Sequence, residues 1–243
     1  MTATVVILTK NQRPYLERSL PAIAAQTGVP GGVEVVVVDG GSTDGAQEVA
    51  RHYGVHLLDN GSQRFNYARA YNAGAGIGTG RCLVRLSGDA IPIHTDWLAR
   101  LLAPLEADST VGVTWGTQRL PPGLRNPIEH LCQRLYGYDK TDAPPRRVTR
   151  TRTVLGCNMA TRRDLWRQDP FPELLQAEDY AYFHRMIRRG FAGMFVPGAV
   201  VLHGHEEPFL RAVHRSFQQS ALQVAIRLGI IPRNMPTVRA NAQ

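Results

Sequence analysis

Two short runs of apolar, largely β-branched residues constrain the fold of this chain more than any other feature of its sequence. They lie at residues 4–8 and 33–38, and each is too short for a helix and is followed by turn residues. A nearly continuous apolar strand is typical of a parallel sheet that is covered by helices on both faces. The sequence therefore predicts an α/β fold built around such a sheet.

Segments with helical spacing separate the strand-like runs in the first part of the chain. Helices are predicted at residues 16–24, 46–53 and 66–76, and further strands at 55–58 and 82–86. Because ligands bind beyond the carboxyl ends of the strands in open sheets of this kind, residues that follow a strand are candidates for the site. Thr9, Asp39 and Asp89 are in this position and are predicted to lie along one rim.

The second part of the chain is less regular. Helices are predicted at residues 97–105, 178–189 and 208–228, and strands at 111–114 and 196–202. The proline-rich and arginine-rich stretch at 121–152 predicts mobile loops over a site. The last helix is amphipathic with a basic polar face, which suits contact with an anionic membrane, packing on the domain or packing on a second copy of the chain.

The net charge predicts anionic partners. The formal charge is +8 over 243 residues, which suits nucleotides, phosphates, nucleic acid or an acidic membrane surface. Nucleic acid is disfavoured, since aromatic residues are sparse among the arginines at 146–163 and no nucleic-acid motif is present. Three cysteines without CxxC spacing favour a reducing compartment. With no signal peptide and no apolar run of about 18 residues, we expect a cytoplasmic protein, with peripheral contact at the inner face of the membrane left open.

Six sequence blocks occur in an order that resembles the inverting family 2 glycosyltransferases. They are VVILTKNQRPYLERSL, VEVVVVDGGSTDGA, FNYARAYNAGAGIGTGRCLVRLSGDAIP, GCNMATRRDLW, AEDYAYFHRMIRRGF and PGAVVLHGH. The resemblance covers residues 4–217 and implies the GT-A fold, with a mostly parallel central sheet flanked by helices. It also implies transfer of a sugar from a nucleotide donor.

The same resemblance suggests how the chain is divided. It implies a GT-A domain at residues 1–205, with a nucleotide-binding half at 1–92 and an acceptor and catalytic half at 93–205. The C-terminal helix and tail occupy 206–243. The third block looks most like a rhamnosyltransferase-like subgroup, which favours a dTDP-linked deoxysugar. Tyr71 departs from that subgroup, which usually has a second arginine at this position.

Several positions match the part of the family that binds the donor nucleotide. Asp39 would accept a hydrogen bond from the base, which favours uracil or thymine; the alternative is a turn and helix-capping residue. Arg69 would neutralise the diphosphate, with a solvated helix arginine as the alternative. The full predicted set is Thr9, Asn11, Asp39, Arg69, Gly88 and Asp89.

The resemblance also implies a divalent cation, Mn²⁺ or Mg²⁺. Asp89 occupies the last position of the family's Asp-x-Asp motif, and Ser87 replaces the first carboxylate. The cation would then rely on Asp89, the donor phosphates and water, as Mg²⁺ commonly does. His203 and His205 match a histidine-bearing segment near the metal, and a nitrogen ligand suits Mn²⁺ better. The alternative for both histidines is an ordinary hydrogen-bonded loop.

Glu178 and Asp179 match the family's Glu-Asp pair at the start of a helix. Asp179 is the position expected to serve as general base, because inversion needs a carboxylate that takes the proton of the acceptor hydroxyl. The alternative is that both residues only suit a helix N-terminus through the helix dipole.

Together these matches predict a glycosyltransferase that moves a hexosyl or deoxyhexosyl group from a UDP- or dTDP-linked donor. The acceptor would be a hydroxyl of a glycan, a lipid-linked molecule or a small molecule. One alternative is a catalytically degenerate domain that binds a nucleotide or a partner, which the missing first carboxylate suggests and the Glu178 and Asp179 pair opposes. A sugar-1-phosphate nucleotidyltransferase would need a glycine-rich loop after the first strand, and LTKNQRPYL is not such a loop.

Overall fold

The computed structural model describes residues 2–61, 66–138, 140–151, 154–174 and 176–230. Strands and helices alternate along the chain in the order β1 (Ala3–Thr9), α1 (Arg13–Ala24), β2 (Val33–Asp39), α2 (Ala46–His52), β3 (His56–Asp59), α3 (Tyr67–Ile77), β4 (Cys82–Ser87), β5 (Ile91–Pro92), α4 (Trp97–Ala107), β6 (Val111–Arg119), α5 (Pro127–Tyr136), β7 (Arg146–Val148), β8 (Asn158–Arg162), α6 (Arg163–Gln168), α7 (Glu178–Arg188), β9 (Ala192–Leu202) and α8 (Phe209–Leu228).

These strands form one mixed sheet in the order β3-β2-β1-β4-β8-β6-β9-β5, with β7 also paired to β9. The first four strands, β3, β2, β1 and β4, are parallel, as the sequence predicts. β8 runs antiparallel to both β4 and β6, and β5 and β7 run antiparallel to β9. The predicted α/β fold with a helix-flanked central sheet is confirmed, but the sheet is mixed rather than mostly parallel, because β5, β7 and β8 pair antiparallel with their neighbours.

Strand β1 is buried on both faces, which explains its apolar run. Val6 and Leu8 point into one core cluster, which α3 covers. Val5 and Ile7 point into the other, which α1, α2 and α4 cover. Successive side chains of a strand alternate between faces, so a strand between two helical layers must be apolar throughout. Each fully buried aliphatic side chain of this kind contributes roughly 1.5–3 kcal/mol.

Helix α3 approaches the sheet closely because Gly74 has no side chain. A Cβ atom at Gly74 would lie 2.6 Å from Val6 Cγ1 and 2.7 Å from Val38 Cγ2. Asn66 caps the start of this helix by accepting a hydrogen bond from Arg69 N. It also anchors the cap to the second half of the chain, since Asn66 Nδ2 donates to Leu174 O at 3.0 Å. The start of α3 is thereby fixed beside the carboxyl edge of the sheet.

The stretch at 121–152 is more ordered than the prediction of mobile loops. It contains α5 and β7. The start of α5 has a recognisable signal, because Asn126 accepts a hydrogen bond from Ile128 N and Pro127 occupies the first turn. Its end is marked by Gly137, whose φ of 70° lies in the left-handed region. The many prolines and arginines of the stretch obscured these local signals. Strand β5 and helix α6 were not predicted from the sequence, and β9 begins at Ala192, before the predicted start at residue 196.

Helix α8 is present as predicted and packs against the rest of the chain. Ala212 and Ile226 are buried. Arg215 pairs with Glu129 of α5 at 3.0 Å and with Glu207 at 2.5 Å. None of the helices in the described ranges combines the length and the apolar character that crossing a membrane requires. The predicted tail beyond residue 230 lies outside the described residues.

Candidate active site

A cavity of about 650 Å³ lies at the carboxyl ends of β1 and β4. It is walled by those strand ends, by the start of α7, by the segment after β9 and by α5 and α8. Most of the predicted site residues meet here, although they come from distant parts of the chain. Those that line the cavity are Thr9, Gly88, Asp89, Glu178, Asp179, His203 and His205.

Asp89, His203 and His205 form a cluster suited to a divalent cation. Each offers one ligand atom, and the three atoms lie within 4.8 Å of one another. His203 Nε2 is 3.4 Å from Asp89 Oδ1, and His205 Nδ1 is 3.5 Å from Asp89 Oδ2. One carboxylate oxygen and two imidazole nitrogens fit a cation such as Mn²⁺, with further positions open to phosphate oxygens.

Gln118 of β6 orients His203, and the sequence analysis did not identify it. Gln118 Oε1 lies 3.0 Å from His203 Nδ1. It can accept a hydrogen bond from Nδ1–H, which leaves Nε2 facing Asp89. Gln118 Nε2 in turn donates to Glu129 Oε2 at 3.4 Å. Such hydrogen bonds to the second ring nitrogen are typical of metal-binding histidines.

The charges in this cluster influence one another. Burial disfavours the imidazolium form of His203, but the Cys157 sulfur and the Asp89 carboxylate raise the pKa of His203 well above its usual value. Burial raises the pKa of Asp89, yet the two histidines bring it below its usual value. Burial and the charge of His203 lower the pKa of His205. A divalent cation that binds here therefore has to displace the proton of His203.

Arg85 of β4 is the main cavity residue that the sequence analysis missed. It is 6% exposed and lies in a strand that reads as an ordinary apolar run. Arg85 Nη2 donates to Glu178 Oε1 at 2.5 Å, and Nη1 lies 3.9 Å from Asp179 Oδ2. Burial raises the pKa of Glu178 despite the opposing charge of Arg85. This ion pair fixes the start of α7 against the sheet.

Two nitrogens of Arg85 lack a hydrogen-bond partner among the described residues. These are Nε and Nη1, and both are buried. Arg85 lines the cavity. A buried donor without a partner costs free energy, so native structures normally supply an acceptor. These two N–H groups are therefore candidates for contact with a ligand.

Gly156 allows the side chains of Arg85 and Asp179 to come together. A Cβ atom at this position would lie 2.2 Å from Arg85 Nη1 and 2.3 Å from Asp179 Oδ2. Asp179 Oδ1 accepts a hydrogen bond from Tyr180 N at 2.7 Å. The Asp179 side chain is 20% exposed. Its second oxygen is therefore close to both Gly156 and Arg85 and on the wall of the cavity.

The Asp39 carboxylate is engaged in the turn that follows β2. Its Oδ2 accepts hydrogen bonds from Gly41 N, Ser42 N and Gln47 Nε2, and its Oδ1 accepts one from the Ser42 hydroxyl. Burial raises the pKa of Asp39, but these hydrogen bonds bring it below its usual value. Asn11 supports the same turn, since its N–H donates to Ser42 Oγ at 2.8 Å. Among the residues described, the cavity wall includes neither Asp39 nor Asn11.

Arg69 lies apart from the predicted diphosphate position. Its Nη2 is 3.1 Å from Glu173 Oε2, and it is absent from the described lining of the cavity. Tyr67, at the start of the same helix, lines the cavity instead, and the Arg85 guanidinium lies 5.8 Å from its ring centre. The described lining of the cavity contains three lysine or arginine side chains: Lys10, Arg85 and Arg215.

The sequence profile of glycosyl transferase family 2 matches residues 4–168. The chain belongs to this family. The curated glycosyltransferase AglE of Haloferax volcanii is 26% identical over 230 residues, which make up 92% of this chain and 73% of AglE. The family membership predicted from the six sequence blocks is confirmed, whereas the rhamnosyltransferase-like subgroup stays a prediction.

Solved structures of glycosyltransferases share the fold of this family 2 domain. A mannosyltransferase from Pyrobaculum calidifontis, in complex with GDP-Man and Mn²⁺, superposes with a TM-score of 0.73 at 24% identity, over 93% of this chain and 64% of its own. Glucosyl-3-phosphoglycerate synthase from Mycobacterium tuberculosis, with Mn²⁺, UDP and glucosyl-3-phosphoglycerate, gives 0.62 at 18% identity, over 94% and 80%. The GT-A type fold is confirmed. The chain spans less than two thirds of the length of the mannosyltransferase.

Proposed function

We propose that this family 2 domain is an inverting glycosyltransferase that transfers a sugar from a nucleoside diphosphate donor to an acceptor hydroxyl. One observation carries the proposal. The Asp89, His203 and His205 cluster and the Asp179 carboxylate line the same cavity at the carboxyl edge of the sheet. Glycosyl transfer with inversion needs these two elements, a site for the diphosphate and a base for the acceptor.

The diphosphate of the donor is assigned to the cluster. Asp89, His203 and His205 would hold Mn²⁺ or Mg²⁺, which offsets the negative charge of the leaving nucleoside diphosphate. Lys10 lines the same cavity and adds positive charge of its own, whereas the charge of Arg215, which also lines it, is offset by Glu129 and Glu207. Thr9 and Gly88, at the ends of β1 and β4, complete the predicted nucleotide side of the cavity.

Asp179 is assigned as the general base. Its carboxylate takes the proton of the acceptor hydroxyl while that oxygen forms a bond to the anomeric carbon of the sugar. The bond between the anomeric carbon and the diphosphate oxygen breaks, and its electron pair leaves with the nucleoside diphosphate. Attack from the face opposite the leaving group inverts the configuration. Arg85 holds the Glu178 and Asp179 pair in place, and we assign its two buried N–H groups without partners to oxygens of the sugar or acceptor.

The donor we propose is UDP- or dTDP-linked and carries a hexose or deoxyhexose. Among the described residues, Asp39 Oδ1 accepts one hydrogen bond, from the Ser42 hydroxyl, and a carboxylate oxygen has two lone-pair positions. Asp39 is fully buried, so a base reaches it only if the turn at 40–45 shifts. Because one solved relative binds GDP-Man, GDP belongs in every comparison of donors.

The donor side is tested by calorimetric titration of UDP, dTDP and GDP, each with and without Mn²⁺, into the wild type and Asp89→Ala. We expect one of the first two to bind in a cation-dependent manner and the variant to lose that dependence. Preferential binding of GDP would refute the prediction that the donor carries uracil or thymine. Failure of all three nucleotides to bind would refute the transferase proposal.

The assignment of Asp179 as the general base is tested with the variant Asp179→Asn. We expect turnover to fall by about 10²–10⁴-fold, the usual contribution of a positioned general base, while the nucleotide dissociation constant stays unchanged. Asp164→Asn is the matched control, since that side chain is 66% exposed and is absent from the described cavity lining. Equal turnover in the two variants would favour a domain that binds nucleotide without catalysis.

The exposed side of α8 supports the predicted contact with a membrane or a second copy. Leu210 and Phe217 are 79% and 72% exposed, and Arg211 and Arg227 lie on the same helix. Sedimentation with vesicles containing anionic lipid tests the first partner, and analytical ultracentrifugation tests the second. Because Arg215, Ser216 and Gln219 of α8 line the catalytic cavity, we propose that α8 works with the domain at 1–205 as one unit.

A further inference from the structure

A second cavity of about 640 Å³ adjoins the catalytic one. The two share a wall made of Tyr136, Tyr138 and Gln223. At the start of α7, Asp179 lines the catalytic cavity and the next residue, Tyr180, lines the second. The second cavity therefore adjoins the catalytic one on the side of the proposed base, where an acceptor has to enter.

A row of aromatic rings borders this second cavity, with Tyr136 exposed and the other three rings buried in the core behind it. The ring centres of Trp115 and Phe195 are 6.1 Å apart, those of Phe195 and Tyr138 5.8 Å, and those of Tyr138 and Tyr136 5.6 Å. The row ends at the two tyrosines that also face the catalytic cavity. Aromatic side chains with a few polar groups are typical of pockets that bind small organic ligands.

The rim of the second cavity is cationic. Four basic side chains line it, and among the described residues none of the four has a carboxylate partner: Arg134, Lys140, Arg146 and Arg227. No aspartate or glutamate occurs in its described lining. Arg146 also lies over the Phe195 ring at 5.7 Å, so one of these cations is directly beside the row of aromatic rings.

The neighbouring arginine shows that this lack of partners is local. Arg147 follows Arg146 in β7, and its Nη1 lies 2.6 Å from Asp108 Oδ2. Adjacent residues of a strand point to opposite faces. Arg147, on the outer face, is paired with a carboxylate, whereas Arg146, on the cavity face, is not. Unpaired cations around a concave site attract anions and raise their local concentration.

We propose that the second cavity is an acceptor subsite for an anionic saccharide. A sugar ring of the acceptor packs on the exposed ring of Tyr136, and its phosphate or carboxylate group binds Lys140 and Arg146. Guanidinium groups bind both anions through paired N–H donors. The inference rests on the proposed function, because it assigns the acceptor class to the enzyme whose base is Asp179. It restricts the acceptor to molecules that carry a negative charge away from the reacting hydroxyl.

Calorimetric titration of three related probes tests the subsite. Glucose 6-phosphate, glucuronate and glucose are titrated into the full chain, first alone and then saturated with Mn²⁺ and the nucleotide that binds. We expect at least one anionic probe to bind at least tenfold more tightly than glucose. The anionic probe that binds more tightly identifies the group that the rim recognises.

Matched double variants locate that binding. Lys140→Gln with Arg146→Gln removes two cations from the cavity, and Arg51→Gln with Arg147→Gln removes two from elsewhere on the surface. The cavity variant is expected to weaken the anionic probe at least tenfold and to leave nucleotide affinity unchanged. The control is expected to stay within twofold of the wild type.

The proposal is overturned if both double variants weaken the probe equally, because the affinity would then follow net charge alone. It is also overturned if glucose binds as tightly as its anionic counterparts, or if a short RNA displaces them from the cavity. Failure of the wild type to bind UDP, dTDP or GDP would instead overturn the proposed transferase function. The titration without nucleotide still reports on the cavity in that case, so the two failures are distinguishable.

Discussion

Replacing Gly156 with alanine tests whether the position of the base governs turnover. The backbone at Gly156 is outside the left-handed region, so the substitution adds one methyl group without conformational strain. That methyl carbon would lie 2.3 Å from Asp179 Oδ2 and 2.2 Å from Arg85 Nη1. Neither side chain can move aside freely, because Arg85 is buried and paired with Glu178 and Asp179 accepts a hydrogen bond from Tyr180 N.

The displacement can be estimated from these distances. Ordinary contact with a Cβ atom begins at 3.4 Å, so Asp179 Oδ2 has to retreat by about 1 Å. A misplacement of about 1 Å can cost about 10²-fold in rate, because the base no longer reaches the proton in the reactive geometry. We therefore expect kcat of Gly156→Ala to fall by about two orders of magnitude. The nucleotide dissociation constant, measured by calorimetry, should stay near that of the wild type.

Gly76→Ala is the matched control. Gly76 lies in α3, and a Cβ atom there would have no neighbour within 4 Å. The variant should keep wild-type kcat and gain roughly 0.5–1 kcal/mol in the free energy of unfolding, because alanine loses less backbone entropy in a helix than glycine does. If Gly156→Ala folds and keeps kcat within twofold of the control, the assignment of Asp179 as the base is wrong.

Two further predictions concern the metal cluster and the stability of the sheet. Gln118→Leu removes the acceptor that orients His203, so Mn²⁺ affinity measured by calorimetry should fall by about 10–100-fold; unchanged affinity would contradict this orienting role. Although burial raises the pKa of Glu34, hydrogen bonds from Thr4 and Thr79 bring it below its usual value. Because the pKa of Glu34 is lower in the folded state than in the unfolded state, its ionised carboxylate stabilises the fold at pH values above the unfolded-state pKa. This stabilisation is lost as the pH falls through the folded-state pKa. In urea denaturation at a series of pH values, the free energy of unfolding should fall more steeply with acidification in the wild type than in Glu34→Gln, and parallel curves would exclude the effect.

The sequence predicted the first half of the fold well because its signals are local. The apolar runs of β1 and β2 and the helical spacing of α1 depend on nearby residues only. The second half was predicted less completely. The prolines and arginines at 121–152 suggested loops, whereas the Asn126 cap and Gly137 mark the ends of a helix. The direction of β8 could not be predicted, because it depends on pairing with β4 and β6 rather than on its own composition.

Side-chain directions separate the predicted site residues into two groups. His203 and His205 are brought to Asp89 as the family resemblance implies. Asp39 and Arg69 sit at the expected points of the chain, but Asp39 bonds the turn after its own strand and Arg69 pairs with Glu173. A sequence position indicates where a residue lies in the fold, and the contacts of its side chain depend on groups that the motif does not contain.

By itself, the sequence determined the family, the parallel half of the sheet and the positions of the residues at its carboxyl edge. These features follow from local hydrophobic patterns and from motifs whose order the chain preserves. Only the tertiary structure decided how the cavity works. Arg85 and Glu178 are 93 residues apart, and Gln118 and His203 are 85 apart. The local sequence around either residue does not predict such a contact, because the contact forms only when the packing of the whole sheet brings the two residues together.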